Sequence, residues 1–335
     1  MVAIDAPENV SAEQVRVNAN EEYGQFCELA HILKDLGDAG HINCETTGLD
    51  IKVKDKFHQL REMAEREFED HIFPKLPLCD ESSESVCLND RDSAVTSLRC
   101  LQMFYRFGAD TFATAVHILD RFLSRIKVKR KYLSCVTAAT YFLSAKFHED
   151  SETTPKATEL SHLHQLVWKS SDLKRMELII LEKLGWDLWS RTTPLSFLRI
   201  IFSILQLLDI PGLVKGLFET VTKLLEICLN HTICAHFRPC TLAVCALRYY
   251  IKHYGPASII INFLLLDVQN ICQIADSEML DCYCAVSKQL LDYDSQVLSS
   301  PPSLPVRKKP MFKFGHRSRL SFYENSLPTI QEVCD

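Results

Sequence analysis

The chain has 335 residues, is 47% apolar and 24% charged, and carries 43 acids against 37 bases. This is about two domains' worth of residues at ~150 each, and no run approaches the ~20 consecutive apolar residues of a membrane span. Glycine is scarce, 10 of 335, which argues against a phosphate-cradling Gly-rich loop or a parallel sheet with tight turns and makes an all-α protein the expectation.

The charge is unevenly spread. Residues 1–90 hold 20 Asp and Glu against 8 Lys and Arg, whereas 301–335 hold 6 bases against 3 acids. An acidic arm of this kind is a solvated segment and disfavours a nucleic-acid surface beside it. The opening Met1-Val2-Ala3-Ile4-Asp5 lacks the basic start and apolar run of a secretion signal, so a soluble protein of nucleus and cytoplasm is expected, without membrane or direct nucleic-acid partners. The 14 cysteines are then reduced thiols, several of them small core residues. Cys228, His231, Cys234 and His236, with Cys282 and Cys284 farther on, have the residue types of a zinc site. Positions 228, 231 and 234 step round a helix by about 100° per residue and need not converge, so a helix end and loop with no metal or cofactor is the expectation.

In chain order, residues 1–55 carry one short apolar patch, Phe26 to Leu36, and read as weakly structured. A helix is expected near 57–73, where Leu60, Met63, Ala64, Phe68 and Ile72 recur at three- and four-residue steps. Pro74 and Pro77 stop it, and Asp80 to Ser85 reads as a linker. The folded body begins near Asn89. Ala94 to Phe107 has helical spacing, with Gly108 as its C-terminal cap and Asp110 or Thr111 capping a second helix, Phe112 to Leu123. Tyr132 to Lys146 is so rich in small and apolar residues that nearly its whole circumference must be covered. Lys156 to Trp168 and Asp172 to Leu184 complete five helices.

The pattern then repeats. Pro194 to Leu207, Leu213 to Cys228, a helix opening at Pro239, Asp267 to Ile274 and Ser277 to Leu291 form a second set. Its Cys240-Thr241-Leu242-Ala243-Val244-Cys245-Ala246-Leu247 is similar in character to Cys135-Val136-Thr137-Ala138-Ala139, about a hundred residues earlier. Two tandem five-helix domains, each wrapped around its third helix, are expected.

Ala115-Val116-His117-Ile118-Leu119-Asp120-Arg121-Phe122-Leu123, the helix end Leu143-Ser144-Ala145-Lys146-Phe147, and Lys174-Arg175-Met176-Glu177 before Leu184-Gly185-Trp186-Asp187-Leu188 stand in the order of a cyclin box. Thr193-Pro194-Leu195-Ser196-Phe197-Leu198 opens what resembles a second. The chain thus resembles the cyclins, most of all the G and I types, because of Lys131-Tyr132-Leu133-Ser134-Cys135 and the run Met176 to Leu198. The resemblance divides it into an arm, 1–88, a first box, 89–190, a second box-like domain, 191–293, and a disordered tail, 294–335.

What the resemblance implies is a regulatory protein without catalytic chemistry of its own. It would dock against a cyclin-dependent kinase in cell-cycle control and stabilise the kinase's active state. Lys146 and Glu177 stand where the family carries its paired kinase contacts, with Phe147 and Glu149 as lesser ones; His148 occupies a place where many members have an acid. Arg91 and Asp120 match the family's internal ion pair. Asp90, Ser93 and Ser97 stand where many cyclins carry an apolar substrate-docking patch, which two serines and an aspartate cannot reproduce.

In the tail, Ser299 to Pro305 is a Ser/Pro linker, and Arg307-Lys308-Lys309 and Arg317-Ser318-Arg319 are basic. The last residues include Leu327-Pro328-Thr329-Ile330-Gln331-Glu332, which resembles the L-x-x-I-x-E motif bound by B-prime regulatory subunits of protein phosphatase 2A. Leu327 and Ile330 would be apolar anchors, and Glu332 would meet a basic site. Two other readings stand beside the kinase regulator: a phosphatase adaptor with no kinase activation, and a transcription-associated helical scaffold.

Overall fold

The computed structural model describes residues 48–70, 76, 84–163, 167–188, 192–208, 216–254 and 259–299. They form α1 (Gly48–Asp70), α2 (Leu88–Tyr105), α3 (Ala109–Arg125), α4 (Arg130–His148), α5 (Ala157–Leu163), α6 (Ser170–Lys183), α7 (Pro194–Leu207), α8 (Leu217–Leu229), α9 (Thr232–Ala235), α10 (Pro239–Tyr254), α11 (Ile259–Ile271) and α12 (Asp276–Ser299). Among the described residues there is no β-strand, only an isolated bridge between Ser85 and Lys129. No helix among them is long and apolar enough to cross a membrane.

Helices α2, α3 and α6 pack around α4, and α7, α8, α11 and α12 around α10. Both central helices are buried for most of their length, Cys135 to Ala145 in α4 and Pro239 to Leu247 in α10. Small side chains permit this close approach, and buried hydroxyls find nearby carbonyls: Ser144 Oγ donates to Thr111 O at 2.7 Å and Thr140 Oγ1 to Thr137 O at 2.8 Å. Local chemistry sets the start of α7, where Pro194 occupies the first turn and Thr193 Oγ1 accepts from Ser196 N at 3.2 Å.

Several boundaries differ from the sequence expectations. Helix α2 ends two residues earlier than expected through a turn in which Arg106 is left-handed, φ 59°, and Phe107 N donates to Gln102 O at 3.1 Å. Gly108 is therefore not its C-terminal cap; it precedes α3, with φ −67° and ψ 165°. Neither Asp110 nor Thr111 caps α3. The amide of Gly108 and the hydroxyl of Thr111 instead donate to Glu149, so a carboxylate from the end of α4 serves the start of α3. Helix α5 stops at Leu163, short of Trp168; α11 starts well before Asp267; and α12 runs past Tyr293 to Ser299.

The largest difference lies in the arm. Helix α1 begins at Gly48, and its Val53, Phe57, Leu60, Met63 and Ala64 are buried against α7 and α11, so it belongs to the folded body. The acidic composition hid this, because the charged residues occupy the other faces of an amphipathic helix. One acid is buried. Glu67, fully inaccessible, accepts from Cys240 N at 2.6 Å at the start of α10 and lies 3.9 Å from Arg238, while its second oxygen has no hydrogen-bond partner.

Burial raises the Glu67 carboxyl above its ordinary value, against the opposing hydrogen bonds of Cys240 and the charge of Arg238. The folded chain thus holds this proton more tightly than the unfolded chain. The resulting stability is complete below the unfolded value of ~4.3 and is lost as pH rises through the folded value. Glu67→Gln is expected to gain on the parent as pH rises, so that the difference in Tm, variant minus parent, becomes more positive from acidic to neutral pH. Thermal unfolding followed by circular dichroism measures this, and a difference that is flat with pH refutes it.

Candidate functional site

Lys146 lies at the C-terminal end of α4, where a cation is favoured by the helix dipole, and Glu177 lies midway along α6. The crossing of these helices brings the two side chains into an ion pair, Nζ to Oε1 at 2.5 Å. The Lys146 ammonium also sits 4.0 Å from the centre of the Phe142 ring. Its side chain is 44% exposed and that of Glu177 only 14%, so the pair presents a cation to solvent over a recessed carboxylate.

Large apolar side chains of α4, of α6 and of the turn after α6 are exposed. Phe147 is 50% exposed, Leu178 52%, and Trp186, in the turn after α6, 60%. Phe147 meets the His148 ring edge to face at 4.5 Å. Burial lowers His148 below its ordinary range, against the pull of Asp110 and Glu149, which keeps it neutral at pH 7 beside this apolar ring. Its Nε2 is hydrogen-bonded to Thr114 Oγ1 at 2.8 Å. Glu149 is turned inward to Gly108 and Thr111, away from the exposed pair.

Arg91 and Asp120 meet as a two-pronged pair, with Nε and Nη2 donating at 2.9 and 2.7 Å. Arg91 also donates to Leu229 O at 2.9 Å, at the end of α8, and to Asp92 Oδ1 at 3.2 Å. Asp92 in turn accepts from Thr232 N at 2.9 Å, and Gln102 donates to Glu226 at 2.8 Å. These bonds tie α2 to both halves of the body. On the exposed face of α2, Ser93 and Ser97 donate to the carbonyls of Asn89 and Ser93, and Asp90 pairs with Arg130 at 2.7 Å. That face is polar and locally satisfied.

Three of the six zinc-type residues, Cys228, Cys234 and Cys282, come together in the core. Cys228 and Cys234 are fully buried, with Cys245 and Cys282 beside them, while Cys284 is exposed and the His236 ring turns to Thr232 O. Hydrogen bonding to Cys234, together with burial, raises the Cys228 thiol, which stays protonated. Among the described residues no cluster of His, Cys, Asp and Glu is arranged to hold a metal ion.

Residues 55–189 match the sequence model of the cyclin N-terminal domain. Cyclin-G1 of Bos taurus is 32% identical over 248 residues, covering 72% of this chain and 82% of that protein. Human Cyclin-G2 is 30% identical over 308 residues, covering 90% and 86%. The chain is a G-type cyclin. A viral cyclin of herpesvirus saimiri has the same all-α fold, with a TM-score of 0.55 and 22% identity over 70% of this chain and 99% of that one.

The cyclin family is one of regulatory, non-catalytic proteins. The family match starts within α1, consistent with the packing of that helix into the body of this cyclin. Sequence reasoning missed the exposure of Leu178 and of Trp186. Leu178 follows Glu177 directly, but exposure of an apolar helix residue cannot be read from spacing when both neighbouring faces are mixed. Trp186 is exposed because Gly185 and Trp186 are both left-handed, φ 68° and 60°, and Arg121 and Arg125 hold the flanking carbonyls of Asp187 and Lys183 at 2.7 and 3.1 Å. Leu327, Ile330 and Glu332 lie outside the described residues.

Proposed function

We propose that this cyclin binds and regulates a cyclin-dependent kinase through the end of α4 and the adjoining face of α6, and recruits protein phosphatase 2A through its tail. The observation that carries the kinase reading is the fixed Lys146–Glu177 pair, each member followed directly in the chain by an exposed apolar residue, Phe147 and Leu178. Exposed apolar groups supply area to bury, and the charges supply register and orientation. An ammonium has three N–H groups, and those not given to Glu177 are free to meet carbonyls of a kinase element held in one position. A rigid surface that fits one kinase state better than another shifts the kinase toward it. Phe147 contributes apolar contact. Glu149 supports the site from behind by fixing the start of α3.

The tail reading rests on Leu327, Ile330 and Glu332. Affinity purification of the intact chain followed by mass spectrometry is expected to recover both a kinase and a B-prime phosphatase subunit. Leu327→Ala with Ile330→Ala should remove the phosphatase subunit and leave the kinase in place. Undiminished recovery of the phosphatase subunit excludes the tail as its site. Recovery of phosphatase without any kinase favours an adaptor that activates none.

A further inference from the structure

A second charged surface lies at the other end of α4. Arg125, Lys127, Lys129, Arg130 and Lys131 fall within seven residues that contain no acid. The segment is held in place. Val128 is buried, its carbonyl accepts from Val86 N at 3.0 Å, and Arg130 N donates to Glu84 O at 2.8 Å on either side of the Ser85–Lys129 bridge. With Val128 facing the core, alternation along an extended segment turns Lys127 and Lys129 outward. Arg130 is neutralised by Asp90, but Lys127, Lys129 and Lys131 are in no ion pair among the described residues. They crowd the N-terminal end of α4, whose first turn holds no acid, so like charges gather at the positive end of a helix dipole. Beside them lies the face of α2 with Asp90, Ser93 and Ser97.

We propose that Arg125, Lys127, Lys129 and Lys131, with this polar face of α2, dock acidic peptide segments of partner proteins. The role of such docking, to bring clients to a bound kinase, rests on the kinase reading above. Lys146 is sixteen residues along α4 from Arg130, about 24 Å, so both surfaces can be filled at once. Where an apolar patch would select a greasy peptide, this surface selects by charge.

Fluorescence anisotropy of a labelled Glu-Asp repeat peptide against the intact chain, at ~0.15 M salt, tests this. Lys127→Glu with Lys129→Glu and Lys131→Glu is expected to weaken binding roughly tenfold or more. The control Lys52→Glu with Lys223→Glu and Lys288→Glu makes the same charge change on α1, α8 and α12 and should cost less than roughly twofold. Both variants should keep the parent melting temperature and kinase recovery. Equal losses in the two variants, or no binding by the intact chain, overturn the docking site. Loss of kinase recovery with peptide binding intact counts against the kinase reading instead. A zero-length carboxyl-to-amine cross-link on the peptide-free chain that joins these lysines to acids of residues 5–45, in the same chain or a second copy, reassigns the strip and also overturns the proposal.

Discussion

Replacing Arg91 with alanine is expected to lower the unfolding free energy by about 3–5 kcal/mol, read as a fall in the urea midpoint. The guanidinium is completely buried, and its three partners come from three places: Asp120 on α3, Leu229 at the end of α8, and Asp92 on its own helix. Burial alone would lower its pKa, but Asp120 and Asp92 more than offset this and hold it above the ordinary value, so it is charged at every accessible pH. Truncation strands the Asp120 carboxylate, whose side chain is only 15% exposed, and the Leu229 carbonyl. The size of the effect comes from those stranded groups and not from the net worth of the pair. Arg91→Met with Asp120→Leu removes both charges at similar volume and should recover most of the loss. Full recovery is not expected, because Leu229 O still lacks its donor. An unchanged midpoint in the single variant sinks this account.

The second large effect concerns the exposed pair. Lys146→Glu or Glu177→Lys is expected to weaken kinase capture by at least about 2 kcal/mol, roughly thirtyfold. The melting temperature should move little, since a pair whose lysine is 44% exposed adds little to the fold. The informative variant is the exchange of both. Lys146→Glu with Glu177→Lys restores an ion pair across the crossing of α4 and α6 but inverts what a partner meets. If the charges act on the kinase, capture stays lost in the exchanged protein. Capture restored by the exchange would show that the pair serves only to brace the two helices.

Sequence patterning was sufficient for the two central helices. Ala138, Ala139, Ala243 and Ala246 lie in runs without a polar face, and such runs have nowhere to go but the middle of a bundle. Thr193-Pro194 likewise specified its own helix start. The ion pair Arg91–Asp120 and the pair Lys146–Glu177 were reached only through family resemblance, since residues 29 and 31 positions apart have no local reason to meet.

By itself, then, the sequence determined the all-α class, the two buried central helices and the residue types at the exposed end of α4, because these follow from local periodicity and from charges that burial does not remove. Tertiary structure alone decided that α1 joins the core, that Glu67 meets the start of α10 and that Glu149 serves α3. Each of these depends on where distant helices cross. A side chain's partner is fixed by packing across the chain, and no local pattern carries that information.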